Sequence, residues 1–137
     1  MKLIVDANIL VAELTRRRGR ALLSRLDLRL FIAEVPWSEA QHELAKRYTV
    51  IAERTGSSAE SADEQYTQVI QLAEVYVEVV TQTFYASSEQ EARRRIPRDP
   101  DDWHTVALAL SLSADIWTQD KDFLGCGVAT WTTDTLL

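Results

Sequence analysis

The chain has one cysteine, Cys126, two histidines and four glycines among its 137 residues. A single thiol excludes an internal disulfide framework and suits a reducing compartment, so a cytoplasmic location is the expectation. Neither His42 nor His104 forms a ligand-spaced set with Cys126, which argues against a zinc site. There is no glycine-rich phosphate loop, and this removes the nucleotide-kinase class. No apolar run approaches the ~20 residues of a bilayer-spanning helix. The opening MKLIVDAN reaches Asp6 too soon to read as a signal peptide. Lys and Arg are absent between Thr55 and Ala92, a stretch holding seven acids.

The remaining composition is that of an ordinary globular chain, 46% apolar and 26% charged. It suffices for one domain over residues 1–137 with a sizeable core. A net charge of −6 opposes coating of the whole surface by nucleic acid. Ten of the fifteen Lys and Arg nevertheless fall in TRRRGRALLSRLDLR (15–29) and RRRIPR (93–98). These runs are either solvated helix faces or local grips for a polyanion.

Strand and helix patterns alternate along the chain. KLIV reads as a strand buried on both faces, followed by helical NILVAELTRR and GRALLSRL, divided near Gly19. LRLFIA (28–33) is the second strand. Pro36 suits a first helical turn, with Ser38 as a candidate cap and Gln41 at capping-box spacing. Trp37, Ala40, Leu44, Tyr48 and Ile51 then recur at helical intervals as far as Gly56. SSAESADEQ reads as a polar connection, and Ala62, Tyr66, Val69, Ile70 and Ala73 mark another helix. VYVEVV (75–80) is the third strand and SSEQEARRRI a charged helix. RDPDD is a turn that opens a helix bearing Trp103, Val106, Ala107 and Leu110. ADIWT (114–118) and VATW (128–131) complete the strands. The expected class is α/β, with a mostly parallel central sheet of four to five strands flanked by helices.

On that layout Asp6 ends the first strand and Glu39 lies in the first turn of the helix after the second. Asp102 opens the helix before the fourth strand, and Asp120 follows that strand. All four fall at the carboxyl rim, where open parallel sheets bind ligands. Each also has a local explanation: Asp6 and Asp102 as helix caps, Glu39 as a dipole-favoured acid, Asp120 as a turn former. Capping, however, requires no convergence on one side of a sheet. Gathered carboxylates repel one another, and a hard divalent cation such as Mg²⁺ or Mn²⁺ is an economical counter-charge. One or two such ions suit displacement at phosphorus.

LIVDANIL, FIAEVPWSEAQHEL and RDPDDWHTVALALSLSADIWTQDKDFL resemble the successive motifs of PIN-domain nucleases, most nearly the VapC-like ribonuclease toxins of toxin–antitoxin pairs. The resemblance runs from Lys2 to Leu124. It implies a metal-dependent endoribonuclease acting on single-stranded RNA, with Asp6, Glu39, Asp102 and Asp120 as the catalytic acids. Asp6, Asp102 and Asp120 would hold the metal. Asn8 and Thr118 accompany them in the motif, Glu43 is the fallback for Glu39, and Asp99 and Asp122 are neighbouring acids. Arg16, Arg17, Arg18 and Arg20, with Arg93, Arg94 and Arg95, would grip RNA phosphates. A cognate antitoxin and a homodimer are the implied protein partners.

Three other readings compete. An aspartyl-nucleophile phosphatase wants an acid two residues after Asp6, where Asn8 stands. A receiver domain wants a phosphoacceptor Asp after a central strand, and VYVEVVTQTF supplies none. A catalytically silent PIN-fold module that binds RNA or protein is the alternative to an enzyme.

Overall fold

Leu3, Ile4 and Val5 have no solvent exposure because β1 (Lys2–Val5) runs through the middle of a sheet covered on both faces. The computed structural model describes residues 1–137. The other strands are β2 (Arg29–Ala33), β3 (Val77–Val80), β4 (Asp115–Trp117) and β5 (Thr130–Trp131). Their order is β3-β2-β1-β4-β5, and every neighbouring pair is parallel. The fold is therefore α/β with a five-stranded parallel sheet.

The two-residue period of the strands sorts their side chains between two cores. Leu3, Val5, Leu30, Ile32 and Trp117 face one way, with Val77 on the same side. They pack against α1 (Ala7–Leu14), α2 (Arg17–Leu23), α3 (Glu34–Thr55) and α4 (Ala59–Tyr76). Ile4, Phe31, Ala33 and Ile116 face the other way. Their partners include Tyr85 in α5 (Gln82–Tyr85), Ala92 in α6 (Glu89–Arg95), and Trp103 and Val106 in α7 (Trp103–Leu112). Each large aliphatic side chain buried in this way contributes about 1.5–3 kcal/mol. The last turn, α8 (Thr133–Leu136), tucks Leu136 into the first core. No helix is long and apolar enough to cross a membrane.

The crossovers step outward from β1 to β2 to β3, then the chain returns past β1 to β4 and β5. The direction of winding thus reverses between β1 and β4, which opens a crevice at their carboxyl ends.

Several local boundaries differ from the sequence expectations. The break between α1 and α2 falls at Thr15–Arg16, and Gly19 lies inside α2. A Cβ at Gly19 would stand 2.3 Å from the Glu13 carbonyl oxygen, so the glycine serves close helix packing. Strand β2 runs straight into α3 at Glu34, so Ser38 is not a cap. Its hydroxyl donates to the Glu34 carbonyl at 3.3 Å from within the helix. Glu39 consequently occupies the second turn. The polar connection is only Gly56–Ser58, with Gly56 in the left-handed conformation (φ 70°) that ends α3. Ser58, rather than anything later, caps α4 by accepting the Ser61 N–H. Val75 and Tyr76 belong to α4 rather than to β3.

Candidate active site

Asp6 is both the cap of α1 and a wall of the crevice. Its Oδ1 accepts the Ile9 N–H at 2.8 Å, which anchors the helix to the end of β1. Its Oδ2 accepts the Thr118 hydroxyl, from the residue just past β4. The same hydroxyl oxygen accepts the Asp120 N–H at 2.9 Å, so Thr118 sets two acids relative to one another. Asp120 Oδ1 takes the Asp122 N–H at 2.9 Å and so shapes its own turn. The local roles and the convergence coexist. Asp102, by contrast, makes no side-chain cap to α7.

Asp6, Asn8, Glu39, Asp102 and Asp120 line one cavity of ≈ 60 Å³ at the switch point. Neither Lys nor Arg lines it. A cavity of this size has room for a few waters, and so for an ion or phosphate oxygens. A larger hollow of ≈ 400 Å³ beside Arg20, Tyr48 and Gln68 is lined by no acid, so of these two the carboxylates gather only in the smaller one.

The electrostatics follow from that crowding. Burial raises the Asp6 carboxyl above the ordinary aspartate range. The Thr118 and Ile9 hydrogen bonds pull it partly back, and Asp120 pushes it up again. Asp102 is pushed up to about 7, first by burial and then by Asp99, a like charge close enough to share a proton. Asp120 and Glu39 add to the rise.

Of the other expected residues, Glu43 turns to Arg47 at 3.3 Å on the exposed side of α3 and lines no part of this cavity. Asp99 abuts Asp102, and Asp122 is half-buried behind Asp120. None of the seven arginines lines the cavity. Arg93 pairs with Glu89 at 2.8 Å and with Asp101 at 3.4 Å, and Arg95 pairs with Glu91 at 2.9 Å. Arg94 also turns to Glu91. Arg95 further donates to the Cys126 carbonyl at 3.1 Å and so clamps the loop after Asp122. Arg16 lies 3.7 Å from Glu13, whereas Arg17, Arg18 and Arg20 are exposed and make no ion pair.

Trp103 is buried in the second core beneath the Arg93 guanidinium, and Trp37 packs on the first core. His104 turns away from the acids, its Nδ1 2.8 Å from the Tyr85 hydroxyl. Thr105 lines the cavity although nothing marked it in advance. Its spacing of three from Asp102 on one helix is the signal that would have found it.

No three of these carboxylates converge closely enough to form a ready-made coordination shell. The donor set is all oxygen, acidic and without a basic neighbour, which suits a hard cation. Mg²⁺ in particular is bound through one or two carboxylates and keeps several waters. Asp6, Asp102 and Asp120 are the residues that would hold such an ion, one or two at a time, and Asn8 and Glu39 line the same cavity.

Comparison with known proteins agrees with this architecture. The family model described as PIN domain matches residues 4–137. No curated protein sequence matches the chain. Among solved structures it is similar to VapBC2 from Rickettsia felis, bound to a DNA fragment from the promoter, with TM-score 0.69 at 15% identity over 96% of this chain and 98% of that one. It is similar to PAE2754 from Pyrobaculum aerophilum, with TM-score 0.65 at 21% identity over 99% and 86%. It is also similar to FitAcB from Neisseria gonorrhoeae, with TM-score 0.57 at 19% identity over 96% of both chains. With the parallel five-stranded sheet and a family match over nearly its whole length, the chain belongs to the PIN domain family.

Proposed function

We propose that this protein is a metal-dependent ribonuclease that hydrolyses phosphodiester bonds of single-stranded RNA. The observation that carries the reading is the meeting of Asp6, Glu39, Asp102 and Asp120, from four separate segments, in one cavity free of basic residues. A bound Mg²⁺ or Mn²⁺ ion, one or two in number, would supply charge stabilisation at the phosphate and an activated water. The chain's own part is to hold and orient. Asp6, Asp102 and Asp120 offer carboxylate oxygens to the ion, and Thr118 fixes the first and last of these in register. Glu39 orients the attacking water or accepts its proton. The cavity has room for the phosphate oxygens at the scissile bond.

Arg17, Arg18 and Arg20 are the cations of the expected set without acidic partners, and they are the better candidates for flanking phosphates. Arg93, Arg94 and Arg95 are already engaged by Glu89 and Glu91. The similar VapBC2 and FitAcB structures support the toxin role in a toxin–antitoxin pair with a cognate antitoxin, and a homodimeric state and a cytoplasmic location are proposed with it.

The test is cleavage of single-stranded RNA by the pure protein with Mn²⁺ or Mg²⁺. Activity is expected in the wild type and absent from Asp6→Asn and Asp120→Asn. No cleavage of varied RNAs by the wild type with either metal would leave a binding module of the same fold.

A further inference from the structure

Glu13 is a charged side chain the acid site does not use, and it is only 1% exposed. It lies two turns along α1 from Asp6. Its Oε1 accepts the Thr133 hydroxyl at 3.1 Å. Its Oε2 is buried without any hydrogen-bond partner. Arg16 stands 3.7 Å away with its side chain 58% exposed, so it offsets little of the cost of burying the charge. Gly19 closes over the same carboxylate, leaving no room for a side chain.

The direction of the hydrogen bonds here is determined by chemistry. Trp117 Nε1 can only donate, and it donates to Thr133 Oγ1 at 3.1 Å. The Thr133 hydroxyl must therefore pass its own proton toward Glu13. The Trp117 carbonyl accepts the Asp6 N–H at 3.4 Å, and its neighbour Thr118 donates to the Asp6 carboxylate. Asp6 caps α1, the helix that carries Glu13. The links close into a ring: Asp6, α1, Glu13, Thr133, Trp117, Thr118 and back to Asp6. The ring ties the Thr118–Asp6 bond to two further buried hydrogen bonds, Trp117–Thr133 and Thr133–Glu13.

We propose that Glu13 is a positioning residue for the acid centre, acting through Thr133 and Trp117 to hold Thr118 in register with Asp6 and so to set the affinity of the site for a divalent ion. This rests on the metal-dependent reading of the site. A partner bonded directly to a ligand is worth about 10–100-fold in metal affinity; Glu13 acts from three hydrogen bonds away, through Thr133, Trp117 and Thr118, so the lower end of that range is expected.

The experiment is calorimetric titration of Mn²⁺ into the full-length wild type and variants, with thermal melting in parallel. Thr133→Val keeps the shape but removes the relay, and its Mn²⁺ affinity is expected to fall about tenfold. Thr133→Ser restores the hydroxyl and is expected within about threefold of wild type, whereas Glu13→Met removes the acceptor at similar length and is expected to lose affinity as Thr133→Val does. Leu136→Ala loosens the same helix without touching the ring, and is expected to lower the melting temperature while leaving Mn²⁺ affinity unchanged. If Thr133→Val does not fold, Thr133→Ala removes the hydroxyl with less steric demand and is read in the same way. An unaltered affinity in Thr133→Val or in Glu13→Met, or an equal loss in Leu136→Ala, overturns the inference alone. Absence of Mn²⁺ binding in the wild type overturns the metal reading together with it.

Discussion

The hydroxyl of Thr118 donates to the carboxylate of Asp6 across 112 residues of sequence, joining the ends of two neighbouring parallel strands. That bond lies at the reversal of winding between β1 and β4. It is the only link that also reaches a second acid of the cavity, through the Asp120 N–H.

Thr118→Val preserves volume but leaves the Asp120 N–H without its acceptor and Asp6 Oδ2 without its donor. Catalytic efficiency on RNA is expected to fall about 10–100-fold. Stability is expected to fall by about 1–2 kcal/mol, the usual cost of orphaned buried polar groups. Thr118→Ser should recover most of both. Steady-state kinetics and denaturant melts check the pair of effects.

Glu39 and Glu43 are one turn apart on α3, yet only Glu39 lines the acid cavity. Glu39→Gln is expected to lower the rate about 10²–10⁴-fold, the range for loss of a general base. Glu43→Gln breaks an exposed pair with Arg47, so stability should change by about 0.5 kcal/mol or less and activity by no more than about twofold. Equal losses in the two variants would refute the assignment of Glu39.

The two periods of the sequence carried the architecture, because each residue of KLIV or of the Trp103 helix reports its own surroundings. Asp6 was legible for the same reason: an acid directly after a fully buried run must either be satisfied or be used. Boundaries were less legible. Gly19 reads locally as a helix breaker, whereas its real constraint is Glu13 pressing on it. Ser38 reads as a cap, whereas the continuous run from β2 into α3 puts it inside the helix. The bond from Thr133 to Glu13 spans 120 residues and leaves no periodic trace. The pairing of Arg93, Arg94 and Arg95 was legible at helical spacing, since Glu89 and Glu91 stand three or four residues earlier on the same helix, whereas the contact of Arg93 with Asp101 lies beyond that helix and left no such trace.

Asp102 gives the protein a pH signature. Its carboxyl is held up at about 7 in the folded chain, against 3.8 ordinarily. Between those values the folded state keeps a proton that the unfolded chain has released. This contribution to stability is complete below pH 3.8, declines as pH rises toward 7, and is gone above it. If a divalent ion binds as proposed, it would compete with the proton for this carboxylate, so Mn²⁺ should raise the melting temperature more at pH 8 than at pH 5. Melts across that range with and without Mn²⁺ check both trends; a larger Mn²⁺ effect at pH 5 contradicts them.

Gly19→Ala sets helix propensity against packing. Alanine in a helix interior is ordinarily favoured over glycine by about 1 kcal/mol. At position 19 the new methyl would fall 2.3 Å from the Glu13 carbonyl oxygen and 2.4 Å from Glu13 Oε2. Backbone cannot retreat as the end of a flexible side chain can, so α2 must shift away from α1. Overpacking of this kind costs typically about 1–3 kcal/mol, and sterics should win over propensity. The variant is expected to be less stable than the wild type by about that amount. Because α2 carries Arg17, Arg18 and Arg20, its KM for RNA should rise by a larger factor than its kcat falls. Chemical denaturation and steady-state kinetics read the two effects separately, and a stabilised Gly19→Ala would mean that α1 and α2 do not pack as closely as described.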